Sequence, residues 1–212
     1  MADWTTISSL ATAGGTFVLA LATFASVRSA NKAARATERT LMANIRPVLT
    51  PARPEDPVQK IGFGDDHWMK VEGGYAGVEC TDSVIYMAIP LRNVGSGIAV
   101  LDRWFVHPAR LMGESKGHRQ PDEFKRLTRD LYVPPSDTGF WQGALRDPND
   151  PLFAAVRDQV KARDAVTVDL LYGDHEGGQR TVSRFVLLPR DDDERWLAIV
   201  SRHWNIDRDD PR

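Results

Sequence analysis

Two histidines stand among carboxylates: His67 follows Asp65 and Asp66, and His175 lies between Asp174 and Glu176. Imidazole nitrogen beside carboxylate oxygen is the donor set of a zinc site or a general acid–base pair. One reading is therefore a hydrolase or metal-dependent enzyme built on His175, Asp174 and His67. The local sequence argues against it, because neighbouring residues of a strand face opposite ways and such clusters in loops are solvated. Asp191-Asp192-Asp193 lacks the glycine and distal glutamate of a calcium loop. Cys80 is the only cysteine, so neither a disulfide framework nor a Cys-rich zinc site can form. Glu79 and Asp82 beside it raise a thiol pKa rather than activate it. No G-x-S-x-G elbow occurs. Gly95-Ser96-Gly97 lacks the lysine of a phosphate loop and reads as a turn. Trp104, Trp141, Trp196 and Trp204 each lie in a strand-like run, which makes them core or rim aromatics rather than a ligand cage. The expectation is no catalytic residue, no cofactor and no metal.

Charge excludes a further class. The 212 residues carry a formal charge of -2, no basis for nucleic acid as a partner. The basic residues Lys116, His118, Arg119, Lys125, Arg126 and Arg129 are interleaved with Glu114, Asp122, Glu123 and Asp130. That mixture reads as a solvated loop rather than a phosphate-binding footprint.

The elements behind these residues fall into two parts. From Trp4 to Val27 there are 24 residues without a formal charge. As a helix at about 1.5 Å per residue they span roughly 36 Å, enough for a bilayer core of about 30 Å. Trp4, Ile7, Leu10, Phe17, Leu19, Leu21, Phe24 and Val27 carry its apolar surface, and Arg28, Lys32, Arg35 and Arg39 follow at once. Basic residues flanking a span stay on the cytoplasmic side, which predicts the N-terminus outside and the following domain inside. A secretory signal would place positive charge before the apolar run, where only Asp3 stands. An exported domain, behind a signal or an anchor of opposite orientation, is the rival reading. Ser8, Ala11, Thr12, Gly15, Thr16 and Ala20 recur at the spacing of a small-residue helix–helix face, so a homo-oligomer through the span is a further expectation.

No glycine or proline interrupts Arg28 to Arg46, so the helix continues as a stalk until Pro47 stops it. Residues 1–46 carry five basic and two acidic side chains, a net +3, leaving -5 on the remainder.

Residues 47–206 read as a mainly β domain of about seven strands. Ile85, Met87, Ile89 and Leu91 alternate on one strand, and Val166, Val168, Leu170 and Tyr172 on another. Pro90 suggests an edge or a bulge. Residues 58–77 read as loop with at most one short strand, and 110–130 as a long exposed connection. Asp150-Pro151 caps one short helix ending near Arg163, and 207–212 read as a frayed tail. Short strands at this spacing with one crossing helix predict an immunoglobulin-like β-sandwich.

Leu91-Arg92-Asn93-Val94-Gly95-Ser96-Gly97-Ile98-Ala99 resembles the L-x-N-x-G-x-G-x-A stretch of uncharacterised bacterial single-pass membrane proteins with a C-terminal immunoglobulin-like β-sandwich. In those, a charged stalk enters the domain through an Arg-Pro such as Arg46-Pro47. Tyr172-Gly173-Asp174-His175-Glu176-Gly177 is similar to the hairpin near the end of that domain. The resemblance implies the fold and the anchor and carries no chemistry. The expectation is thus a membrane-anchored, non-enzymatic module whose cytoplasmic β-sandwich binds a protein partner or itself.

Overall fold

A computed structural model describes residues 3–111, 117–191 and 193–208, without the side chains of residues 4–11, 39 and 42–44. The chain forms two compact units, Met1–Ala43 and Asn44–Arg212.

The first unit is helical. Helix α1 runs Trp4–Asn44 without a break, because alanine, the best helix former, is its commonest residue and the first proline comes at Pro47. Thr16, Thr23, Thr37 and Thr40 donate their hydroxyls to the carbonyls of Thr12, Leu19, Ala33 and Ala36, at 2.8–3.0 Å. These polar groups are thereby satisfied within the helix itself.

Among the described residues the second unit holds eleven strands, one further α-helix and a single 3-10 turn at Pro121–Glu123. The strands are β1 (Leu49–Pro51), β2 (Gln59–Gly62), β3 (Trp68–Val71), β4 (Tyr75–Cys80), β5 (Ile85–Asn93), β6 (Ala99–His107), β7 (Lys125–Val133), β8 (Thr138–Leu145), β9 (Val166–Gly173), β10 (Arg180–Pro189) and β11 (Trp196–Asn205); α2 spans Pro151–Lys161. Nine strands form one antiparallel sheet in the order β1-β5-β4-β11-β10-β9-β6-β7, with β8 on the other side of β5, while β2 and β3 form a separate hairpin. The sheet curls into a sandwich-like fold, as expected. Its core joins Ile85, Met87, Ile89 and Leu91 to Val168, Leu170, Tyr172, Phe185 and Leu187, all fully buried. Asp150 caps α2 by accepting from the Leu152 amide at 2.9 Å, and Phe153 and Val156 seal it against the core.

Three expectations are corrected. Residues 58–77 hold β2, β3 and the start of β4; their glycines hid short strands. Gly62 and Gly77 lie inside strands because a Cβ there would press on Trp68 or Met69. The connection read as 110–130 ends earlier, since 125–130 belongs to β7. That strand is charged along its length, which is how an edge strand resists stray pairing and why it showed no period. Finally, β5 is internal, and Pro90 sits where its neighbour changes: β4 pairs with residues 85–88 and β1 with 91–93. The Pro90 carbonyl still accepts from the Ala52 amide at 2.9 Å, while its missing N–H falls at the join between two partners.

The L-x-N-x-G-x-G segment closes one end of the domain. Asn93 is fully buried, and its side chain uses all its capacity. Nδ2 donates to the carbonyls of Gly97 (2.6 Å) and Val133 (2.9 Å). Oδ1 accepts from the amides of Gly95 (3.0 Å) and Val48 (3.2 Å). A Cβ on Gly97 would overlap the Ile45 carbonyl, and one on Gly95 the Arg46 carbonyl, so both glycines are required by the close approach of the entering chain. Arg46 beside them donates to Asn205 Oδ1 (2.7 Å) and Thr181 Oγ1 (3.1 Å) and pairs with Asp207 at 2.6 Å. Asp207, placed in the frayed tail by sequence, is held here; residues 209–212 lie outside the described residues. Replacing Asn93 with alanine strands several buried backbone groups, each costing about 1–3 kcal/mol. Asn93→Ala should therefore destabilise the domain by about 3 kcal/mol or more, read as a lower urea midpoint by tryptophan fluorescence.

Candidate functional site

The helical unit presents an unusual surface. Phe17, Val18, Leu19, Leu21, Phe24 and Val27 are all more than half exposed. With successive residues about 100° apart, these six point round the full circumference rather than along one stripe. One helix among the described residues is long and apolar enough to cross a membrane, over Thr12–Glu38, with none of it buried. Arg28, Lys32 and Arg35 follow the apolar part and are exposed, as are Thr12, Gly15, Thr16 and Ala20. The side chains of Trp4, Ile7, Ser8, Leu10, Ala11 and Arg39 lie outside the described residues.

In the β unit the histidine–carboxylate groups serve packing. Tyr86 donates to Asp65 Oδ2 at 2.7 Å, Arg146 donates to the same oxygen at 3.2 Å, and His67 stacks on Tyr86 at 4.1 Å. The Tyr86 hydroxyl first, then Arg146, holds the Asp65 carboxyl below its ordinary range. His67 Nε2 lies 2.9 Å from Glu79, off hydrogen-bond alignment. These contacts pin the β2–β3 hairpin to the sheet. His175 is nearly half exposed and 3.9 Å from Glu176, while Asp174 accepts from the Gly178 amide at 2.9 Å to shape its turn. Among the described residues no three His, Cys, Asp or Glu side chains converge to hold a metal ion. Burial pushes the Cys80 thiol up, Asp82 adds to this, and Lys161 and Arg157 oppose it. The four tryptophans singled out by sequence are all buried.

Sequence periodicity missed the main polar network. Alternation along β9 assigns Thr167 and Asp169 to solvent, yet both are fully buried. Arg184 on β10 grips Asp169 with two hydrogen bonds of 2.7 Å, and His107 Nε2 lies 3.0 Å from the same carboxylate. Ala109, Leu111 and Phe124 lie over this face. Thr167 donates to the Ala109 carbonyl at 2.7 Å and accepts from the Leu111 amide at 3.0 Å, and Phe124 packs with Leu171, Val182 and Trp204. The signal was Leu171, an apolar residue on the face that alternation calls wet. Burial pushes the Asp169 carboxyl up, but Arg184 and then His107 more than reverse this and hold it below the ordinary range. A second relay runs inside the core. The Leu49 amide donates to the Tyr172 hydroxyl at 3.1 Å, which meets Ser183 Oγ at 2.8 Å, which meets His203 Nδ1 at 2.6 Å. Ser183 is fully buried, with its hydroxyl shared between these two partners.

Two surface hollows stand out among the described residues. The larger of the two, about 700 Å³, lies beside α2, with Arg163, Pro189, Arg190 and Glu194 in its lining. Its Arg163 already donates to the carbonyls of Arg190, Asp193 and Glu194. The smaller, about 420 Å³, opens between β7 and β8 with Trp104, Phe63, Gln142, Lys125, Arg126 and Arg146 in its lining. Cationic and aromatic side chains thus meet in its lining.

No family model matches the chain, and no curated protein does. Among solved structures it is similar to a protein from Archaeoglobus fulgidus known by its crystal structure, at 11% identity and a TM-score of 0.25, over 62% of this chain and 91% of that one.

Asp169 supplies the prediction here. Its carboxyl is depressed in the folded state, so its contribution is present above the unfolded pKa of about 3.9 and lost as pH falls through the lower folded value. Removing one partner of such a buried pair costs about 3–5 kcal/mol. Arg184→Met should lose that much stability at pH 7. The loss should shrink as pH is lowered towards 4, because a protonated Asp169 needs no counter-charge; parallel urea titrations at several pH values measure it.

Proposed function

We propose that this protein is a single-pass membrane protein whose β-sandwich acts by binding a protein partner or a second copy of itself. The observation that carries the reading is the apolar surface on every side of α1. A helix apolar all round has to be covered all round, and a partner helix would cover only one stripe. Lipid covers the whole circumference, and the threonine hydroxyls bonded back into the helix suit that medium. Arg28, Lys32, Arg35 and Arg39 follow the apolar run, which favours the β domain on the cytoplasmic side. The resemblance of the Leu91–Ala99 segment to bacterial single-pass proteins points the same way. The binding role is supported by how the polar side chains are used. Asp65, His67, Asp169, Arg184 and His107 tie elements together, whereas the hollow between β7 and β8 stays open to solvent.

Cys80 tests the placement directly, since it is the only thiol. It is partly buried, so labelling calls for mild denaturation. A membrane-impermeant maleimide should leave intact cells unlabelled and react after lysis with mild denaturant, with the chain retained in the membrane fraction after an alkaline wash. Labelling at the surface of intact cells would place the domain outside. A mature chain starting near residue 30 would make the N-terminal helix a cleaved signal.

A further inference from the structure

The curled sheet is continuous from β8 through β5, β4, β11, β10, β9 and β6 to β7. The two end strands share the 134–137 turn, yet no residue of β7 is in ladder register with β8. β8 pairs with β5 alone and β7 with β6 alone, so each turns an unpaired edge towards the same cleft. A side chain spans this gap in place of a ladder: Arg129 Nη2 donates to Gln142 Oε1 at 2.8 Å and reaches the Gly62 carbonyl at 3.4 Å. Open edges with free N–H and C=O groups are templates for an added strand.

The charge around the gap selects what could be added. The β unit is acidic as a whole, at -5 from residue 47 onward, but this cleft carries Lys125, Arg126 and Arg146 against one carboxylate, Asp65. Arg126 stands directly opposite Arg103 on β6, and like charges in that position repel. Arg103 is engaged by Asp102 at 3.4 Å and the Pro121 carbonyl at 3.2 Å, whereas Arg126 has no ion-pair partner among the described residues. The pairs Lys125–Asp150 and Arg146–Asp65 are partly exposed, at 3.4 and 3.2 Å, and pairs of that kind are weakly held. Between these cations the lining is apolar, with Trp104, Leu127, Ala144 and Phe63.

We propose that the cleft between β7 and β8 docks an extended segment of a protein partner in which acidic and apolar residues alternate, added as a strand between the two open edges. Side chains of a strand alternate between faces, and Lys125 stands opposite Trp104 while Arg126 stands opposite Arg103, so one set meets Trp104 with Lys125 beside it and the other meets Arg126. This rests on the binding role proposed above and gives that role its site and its ligand chemistry.

The test uses the full chain in detergent micelles and fluorescein-labelled hexapeptide pools. In the first pool Val, Ile or Leu alternates with Asp or Glu. In the second, lysine replaces the acids. The third repeats the first with N-methylated backbone amides, which removes the donors a strand needs. Binding read by fluorescence anisotropy should be confined to the first pool. Arg126→Glu should weaken it about tenfold or more, with an unchanged urea midpoint to show that the fold is intact. Equal binding of acidic and basic pools, no binding of any pool, or no effect of Arg126→Glu would overturn the proposal. Undiminished binding of the N-methylated pool would reduce the cleft to an anion site and overturn it equally. The binding role itself is tested separately, with photo-crosslinking residues in cells at Thr128 in the cleft and at exposed Trp68 and Val94. Partner adducts at Trp68 or Val94 but not at Thr128 would remove the cleft and keep the binding role; adducts at none of the three would remove both.

Discussion

The fold hangs on a single buried amide. Asn93 joins the end of β5, the turn into β6, the end of β7 and the start of β1 through four hydrogen bonds, and its own backbone pairs with Asp137 and Ser136 in the β7–β8 turn. No other side chain has the geometry to do this: aspartate lacks the two donors, and glutamine carries one methylene more in a site with no exposed surface. Gly95 and Gly97 follow from it, because the chain entering from residue 45 must lie against the turn that Asn93 holds. Arg46 adds a charged clamp from the same entry segment to β10, β11 and Asp207. The motif that gave the sequence its resemblance is therefore a fastening, and its residues are explained by packing without any ligand.

What could be read in advance follows from how each element meets its surroundings. β5 and the first part of α1 were legible because each keeps one environment over a long run: β5 is buried at every residue but Arg92, and residues 4–27 carry no charge. β2, β3 and β7 were not, for opposite reasons. The first two are short and glycine-flanked, and they become strands only by pairing with one another and packing Ile61, Met69 and Val71 on Tyr86. β7 is an edge whose outward residues are nearly all charged, so hydropathy carries no period there. The network of Asp169, Arg184 and His107 was hidden because two-fold alternation assumes one wet face, and Ala109, Leu111 and Phe124 cover that face.

That cover also explains why the ion pair can exist. A buried carboxylate and guanidinium are costly unless every polar atom finds a partner. Arg184 meets Asp169 side-on, His107 takes the remaining direction, and the Trp204 ring lies 4.7 Å from the guanidinium. The pair spans the neighbouring strands β9 and β10 at directly opposed positions, Asp169 and Arg184. It fixes their register, since a slip of one residue would turn one strand over, part the two charges and point one of them into the apolar core. This polar cluster specifies the sheet that the hydrophobic core stabilises.

The cations beside the β7–β8 gap admit two physical uses. Charge along an edge strand is a known deterrent to stray pairing, and for Arg129 and Asp130 in the middle of β7 that purpose is enough. It does not account for the rest of the cleft. A deterrent needs neither an aromatic floor nor a matching cation on the opposite strand, yet Trp104 and Leu127 lie between Arg126 on β7 and Arg146 just beyond β8. A deterrent also works best with charge that repels every incoming chain. Here the domain is acidic as a whole while the gap is lined by three cations and one carboxylate, a pattern that rejects basic and neutral strands while attracting acidic ones. The same residues that protect the edge from its own kind thus set the composition of a segment it could accept.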